Sequence, residues 1–118
     1  MSMDCIFCKI VDKKIPSPRV YEDEHSIVIR DLHPQAKQHF LVIPKVHVTS
    51  LVETWNDPEE GRKIMGNLFY AADQVAKQEG LLPDGYRSVI NTGAGGGQSV
   101  FHLHLHILGG QKMSEGFA

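Results

Sequence analysis

The chain has 118 residues, 42% of them hydrophobic, which fits one domain (1–118) with a modest core. A formal net charge of −2 argues against a broad nucleic-acid surface, since a polymer-binding face carries a basic excess; a single nucleotide stays compatible. No basic start leads into an apolar run, and no segment nears the roughly 20 apolar residues that span a bilayer, so a cytoplasmic protein without membrane contact is expected.

Cys5 and Cys8 are the only cysteines, and in a reducing compartment their spacing suggests a metal pair or a redox pair more than a structural disulfide. Between and beyond them Ile6, Phe7 and Ile10 share a helical face, which predicts one or two helical turns over 5–11. Pro16 and Pro18 end any helix, and Arg19 to Glu22 begins an extended segment. The polar group Glu22-Asp23-Glu24-His25 predicts a turn. Ser26-Ile27-Val28-Ile29-Arg30 then reads as a strand on its β-branched content. Residues 31–38 connect it to a second strand, His39 to Ile43, closed by Pro44, so a hairpin with a long loop is expected.

Asp57-Pro58-Glu59-Glu60 is a helix start, with an aspartate cap, a proline in the first position and a glutamate three residues after the cap. Ile64, Met65, Leu68, Phe69, Ala72, Val75 and Ala76 recur at helical spacing until Gly80 stops the run. Tyr86 to Asn91 reads as a strand able to pair with the last one. That last strand is His102-Leu103-His104-Leu105-His106-Ile107-Leu108, bounded by Gly95-Gly96-Gly97 and Gly109-Gly110, and it holds three of the seven histidines. Alternation puts the three imidazoles on one face and Leu103, Leu105 and Ile107 on the other. Such a row suits either a metal face or nucleophilic and acid/base chemistry on a phosphate ester or amide.

Upstream, Asn91 to Phe101 is rich in glycine, so its main-chain N–H groups can face an anion, and Gln98 and Ser99 add polar donors. Beside a row of histidines this favours phosphate over a plain hairpin connection. The whole predicts an α+β fold of about five antiparallel strands with one long and one short helix. An open sheet edge and the apolar helix stripe both need cover, which predicts a two-fold homodimer.

The run Gly96-Gly97-Gln98-Ser99-Val100-Phe101-His102-Leu103-His104-Leu105-His106-Ile107-Leu108-Gly109-Gly110 resembles the signature of the histidine triad (HIT) family in its nucleotide-binding HINT branch. Agreement continues through 4–10, Ile15-Pro16, Tyr21-Glu22-Asp23, Asp31, Pro34-Gln35-Ala36 and 39–45, nearly the whole chain. The resemblance implies a HIT-like fold, a dimer whose sheets run into one another, and hydrolysis of purine nucleoside 5′-phosphoramidates through a nucleotidyl-histidine. It makes His104 the nucleophile, His106 a donor to a nonbridging phosphate oxygen, and Ser99 with the Gly97 and Gln98 backbone the stabilisers of developing charge. His39 carries over as a fourth imidazole that helps orient the nucleophile. Asp31 would hold the ribose and Asn91 would lie near the phosphate. Ile6, Phe7, Ile10, Ile29 and Leu32 would form the purine slot.

Some members hold a structural zinc on a Cys-x-x-Cys pair, a histidine after a Pro-Lys turn and the first triad histidine. Here those are Cys5, Cys8, His47 and His102, a set closed to water. No organic cofactor is implied. Two other readings share the motif: dinucleoside polyphosphate hydrolysis by the same His104, and a non-enzymatic nucleotide- or zinc-binding regulator. His25 and His33 match no family role and read as solvated loop histidines.

Overall fold

A computed structural model describes residues 4–117. In chain order it contains α1 (Ile6–Val11), β1 (Arg19–Glu22), β2 (Ser26–Arg30), β3 (Gln38–Pro44), α2 (Leu51–Thr54), α3 (Pro58–Gln78), β4 (Arg87–Val89) and β5 (Leu105–Gly109). The strands form one antiparallel sheet in the order β1-β2-β3-β5-β4. The expected α+β architecture is therefore present.

Strand register decides which side chains meet which layer. Val28 pairs with Val42, Phe40 with Ile107 and Val42 with Leu105. These residues turn to one face, where Leu68, Ala71, Ala72, Val75 and Ala76 of α3 cover them. Their neighbours Ile27, Ile29, Leu41 and Ile43 turn to the other face and pack with Phe7, Cys8 and Ile10 of α1. Small alanines on the buried side of α3 let the helix lie close to the sheet. At about 25 cal/mol per Å² of apolar area, this double burial is the main stabilising contribution.

The start of α3 follows its sequence signals: Asp57 accepts from the Glu60 amide, and Pro58 occupies the first turn. The helix ends at Gln78, and Gly80 turns the chain away with φ +74°. Gly61 is required by a close approach, because a Cβ there would lie 2.5 Å from the Thr54 carbonyl oxygen and 2.8 Å from the Trp55 ring.

Four features differ from the sequence reading. The short helix α2, capped by Ser50 through the Val52 amide, had no visible signal because four residues show no periodicity. β4 spans three residues instead of the six expected. The histidine strand begins only at Leu105, since the Leu103 amide donates to the Val48 carbonyl, 2.7 Å away, instead of joining the ladder. The alternation of faces survives this departure: Leu103 and Leu105 are buried in the α3 layer, and Phe7 of the opposite layer meets both His102 and His104 edge-on. Finally, the α3 stripe is covered by the chain's own sheet, so only Phe69 and Tyr70 remain exposed on that helix among its large apolar and aromatic residues. No helix among the described residues is long and apolar enough to cross a membrane.

Candidate active site and metal centre

The α1 side of the sheet carries two clusters of metal-ligating residue types. The first joins Cys5, Cys8, His47 and His102, whose donor atoms lie within 4.8 Å of one another. Cys5 is the N-cap of α1, its Sγ accepting from the Cys8 amide at 3.3 Å, so the helix start itself sets the spacing of the two thiols. His102 is fully buried, and its Nε2–H donates to the Pro44 carbonyl at 2.9 Å. Its Nδ1 lone pair therefore points at the cluster, 3.3 Å from Cys5 Sγ, 3.5 Å from Cys8 Sγ and 3.1 Å from His47 Nδ1. Cys8 Sγ lies 3.1 Å from the same His47 nitrogen.

Ligands about 2.0–2.3 Å from a tetrahedral dication would sit at such separations, and two thiols with two imidazoles are a normal donor set for one. Burial pushes His102 down to about 4, which keeps the ring in its neutral, ligating form. Burial, with the neighbouring Cys5 adding to it, pushes the Cys8 thiol up to about 11. A bound cation reverses that preference by favouring the thiolate. The cluster can hold a metal ion.

The second cluster is Asp31, His39 and His106, again within 4.8 Å. The β3–β5 pairing builds it: Leu41 faces His106 across the ladder, and His39 lies two residues along on the same side. His39 Nε2 stands 2.9 Å from His106 Nδ1 and 3.5 Å from Asp31 Oδ2, while His39 Nδ1 accepts from the Gln35 amide at 3.0 Å. Burial lowers the pKa of His39, with Asp31 opposing. Burial, then His104 and His39, lowers His106 to about 4. Both rings are neutral at pH 7.

His104 sits between the clusters. Its Nδ1–H donates to the His102 carbonyl at 2.8 Å, which leaves the lone pair on Nε2. Its ring meets Phe7 edge-on at 5.0 Å and His106 at 5.1 Å between centroids, and 9% of the residue remains exposed. The His104 and His106 rings lie closer together than the 6 to 7 Å that separates alternate positions of a regular extended strand.

The glycine loop differs most from expectation. The Gly96, Gly97 and Gln98 amides donate to carbonyls at positions 93, 94 and 93 of the same loop. The Gln98 side chain is buried, accepting from the Gly93 amide at 2.8 Å and donating to the Thr49 and Val100 carbonyls at 2.7 and 3.0 Å. Gly97 and Gln98 thus shape the loop and do not present donors to an anion. The positive φ of Gly93 and Gly97, +68° and +82°, makes this tight turn available. Ser99 is exposed, and neither its hydroxyl nor the Asn91 side chain has a hydrogen-bond partner among the described residues. A cavity of about 410 Å³ runs from Ser99 past Val100, Phe101 and Ile6 to Cys5 and His47.

Of the expected purine slot, Phe7, Ile10 and Ile29 are 5–7% exposed and belong to the α1-side core, whereas Ile6 is 46% and Leu32 89% exposed. Asp31 Oδ1 accepts from the His33 amide at 2.8 Å, and Oδ2 faces His39. His25 and His33 are exposed, as expected. Sequence reasoning missed Gln35 at the second cluster; its signal is the main-chain amide, which every residue but proline carries.

The HIT domain matches residues 12–113. The chain is 52% identical over 111 residues to the 14 kDa zinc-binding protein of Zea mays, covering 92% of this chain and 84% of that one. It is 41% identical over 114 residues to the purine nucleoside phosphoramidase of Escherichia coli K12, covering 96% and 92%. Among solved structures, a HIT family hydrolase from Clostridium thermocellum matches with a TM-score of 0.92 at 40% identity, covering 100% of both chains. A histidine triad protein from Clostridium difficile matches at 0.91 and 41%, covering 99% of both. On the strength of a domain match over most of its length and relatives of this similarity, the chain belongs to the HIT family.

Proposed function

We propose that this protein is a HINT-branch hydrolase that cleaves the P–N bond of purine nucleoside 5′-phosphoramidates. The observation that carries the reading is the 2.8 Å bond from His104 Nδ1–H to the His102 carbonyl, which fixes the tautomer so that the lone pair available for attack is the one on Nε2. That nitrogen attacks the α-phosphorus and the P–N bond breaks, the amine taking a proton from solvent water as it leaves. Water then attacks the phosphorus of the nucleotidyl-histidine, releasing the 5′-monophosphate and restoring the ring. His106 donates to a nonbridging oxygen, and the Ser99 hydroxyl stabilises charge on the phosphoryl group. Asp31 accepts from the ribose hydroxyls, Asn91 lies beside the phosphate, and Ile6, Phe7, Ile10, Ile29 and Leu32 wall the base.

The naming of one relative as a purine nucleoside phosphoramidase supports this reading, and the naming of another as zinc-binding supports zinc at Cys5, Cys8, His47 and His102. With four protein ligands the ion is structural: it ties the α1 start to the segment leading into β5. The open edge of β4 is the proposed seam of a two-fold dimer, checked by analytical ultracentrifugation.

The decisive experiment is quenching a slow adenosine phosphoramidate turnover in the cold and mapping the acid-labile adduct by mass spectrometry. Adenylate on His104 is the expected result. Adenylate on another residue, or turnover without an adduct and unaffected by His104→Asn, overturns the assignment. Nucleotide binding with no turnover of phosphoramidates or dinucleoside polyphosphates makes the protein a binding module.

A further inference from the structure

A neutral imidazole carries one N–H and one lone pair, so whatever bonds to one nitrogen decides what the other can do. A main-chain amide can only donate. With the Gln35 amide 3.0 Å from His39 Nδ1, that nitrogen supplies the lone pair and Nε2 carries the proton. The Nε2–H then has two acceptors, His106 Nδ1 at 2.9 Å and Asp31 Oδ2 at 3.5 Å, and the shorter contact goes to His106. His106 Nδ1 is thereby an acceptor, so its own proton sits on Nε2. That Nε2 has no protein partner among the described residues.

We propose that the main-chain amide of Gln35 is a positioning group that fixes the protons of His39 and His106 in series, so that His106 presents an N–H to the substrate. The loop between β2 and β3 is folded for this. Asp31 Oδ1 holds the His33 amide at 2.8 Å, which bends the loop so that the Gln35 main-chain amide meets the ring. The same bond argues against a cation at Asp31, His39 and His106 despite their spacing. A ligating His39 Nε2 would need its proton moved to Nδ1, where the amide already stands.

The kinetic part of this inference rests on the proposed phosphoramidase activity; the proton placement does not. The ring nitrogens of His39 and His106 are read by ¹⁵N NMR in the free protein at neutral pH. Expected are bare Nδ1 and protonated Nε2 on both rings, with coupling through the hydrogen bond between the Gln35 amide nitrogen and His39 Nδ1. A proton on Nδ1 of either ring overturns the proposal, whatever the enzyme assay shows, and this wild-type measurement stands even where a variant fails to fold.

Gln35→Pro removes the donor, and Gln35→Ala keeps it. The alanine variant should hold the wild-type proton pattern. In the proline variant a fraction of both rings should exchange their protons to Nδ1, with kcat on an adenosine phosphoramidate falling about five- to tenfold, the weight of one net hydrogen bond, at unchanged KM. A folded proline variant with the wild-type pattern, or an alanine variant that shifts as far as the proline one, refutes the role of the amide.

Discussion

The Cys5–Cys8–His47–His102 cluster and the Asp31–His39–His106 cluster lie on the same face of one sheet, and each gathers its donor atoms within 4.8 Å. Spacing alone would make both of them metal sites. They part company at the far nitrogen of a single ring. His102 gives its Nε2–H to the Pro44 carbonyl and aims a lone pair inward, whereas His39 accepts the Gln35 amide on Nδ1 and aims a proton inward. The first arrangement can receive a cation; the second hands a hydrogen bond along to His106. The comparison teaches that ligand potential is read from what each imidazole does on its other side.

The largest expected effect comes from the ring between the clusters. His104→Asn should lower kcat on an adenosine phosphoramidate by roughly a thousandfold or more while nucleotide binding, measured by calorimetry, persists. Replacing Cys5 and Cys8 together by serine sharpens the contrast itself. Elemental analysis should find one zinc per wild-type chain, one in His39→Asn and none in the double-serine variant. The last should also melt about 10 °C lower, equivalent to about 2–3 kcal/mol for a domain of this size. A second zinc lost only with His39 would break the comparison.

Ser99→Ala should cost about tenfold to a hundredfold in kcat with little change in Tm, since the hydroxyl is exposed and partnerless in the free protein. Acid should reveal the buried neutral rings. His106 is held near 4 and His39 is lowered as well, both below the ordinary 6.5, so in that range the unfolded chain binds protons that the folded chain refuses. Stability is then full above about pH 6.5 and falls as the pH drops toward 4. Urea unfolding at stepped pH should show that decline, shallower in His106→Asn. Smallest of all, Leu32→Ala should leave stability within about 0.5 kcal/mol, because the side chain is 89% exposed, and weaken only nucleotide affinity.

Much of this molecule is written locally. The cap and periodicity of α3, the β2–β3 hairpin and the alternating leucines and histidines all follow from neighbours in sequence. What escapes is set by distant partners. Leu103 leaves the ladder because its amide finds Val48, and the glycine loop turns its amides inward because Gln98 is anchored to Thr49. The residue types of both clusters were legible, but their division of labour was not. His39 and His106 meet through strand register, and Pro44 and Gln35 act through main-chain groups that leave no mark in a side-chain pattern.

His102 spends its ring on the sulfur-lined cluster and its carbonyl on His104. Those two commitments are separable, since only the first depends on which side chain stands there. A descendant that discarded both thiols and the imidazole could keep the His104 ring in its present tautomer, provided ordinary apolar filling held the peptide plane at the same tilt. The ornament would be expendable in evolution and the bare main-chain oxygen would not.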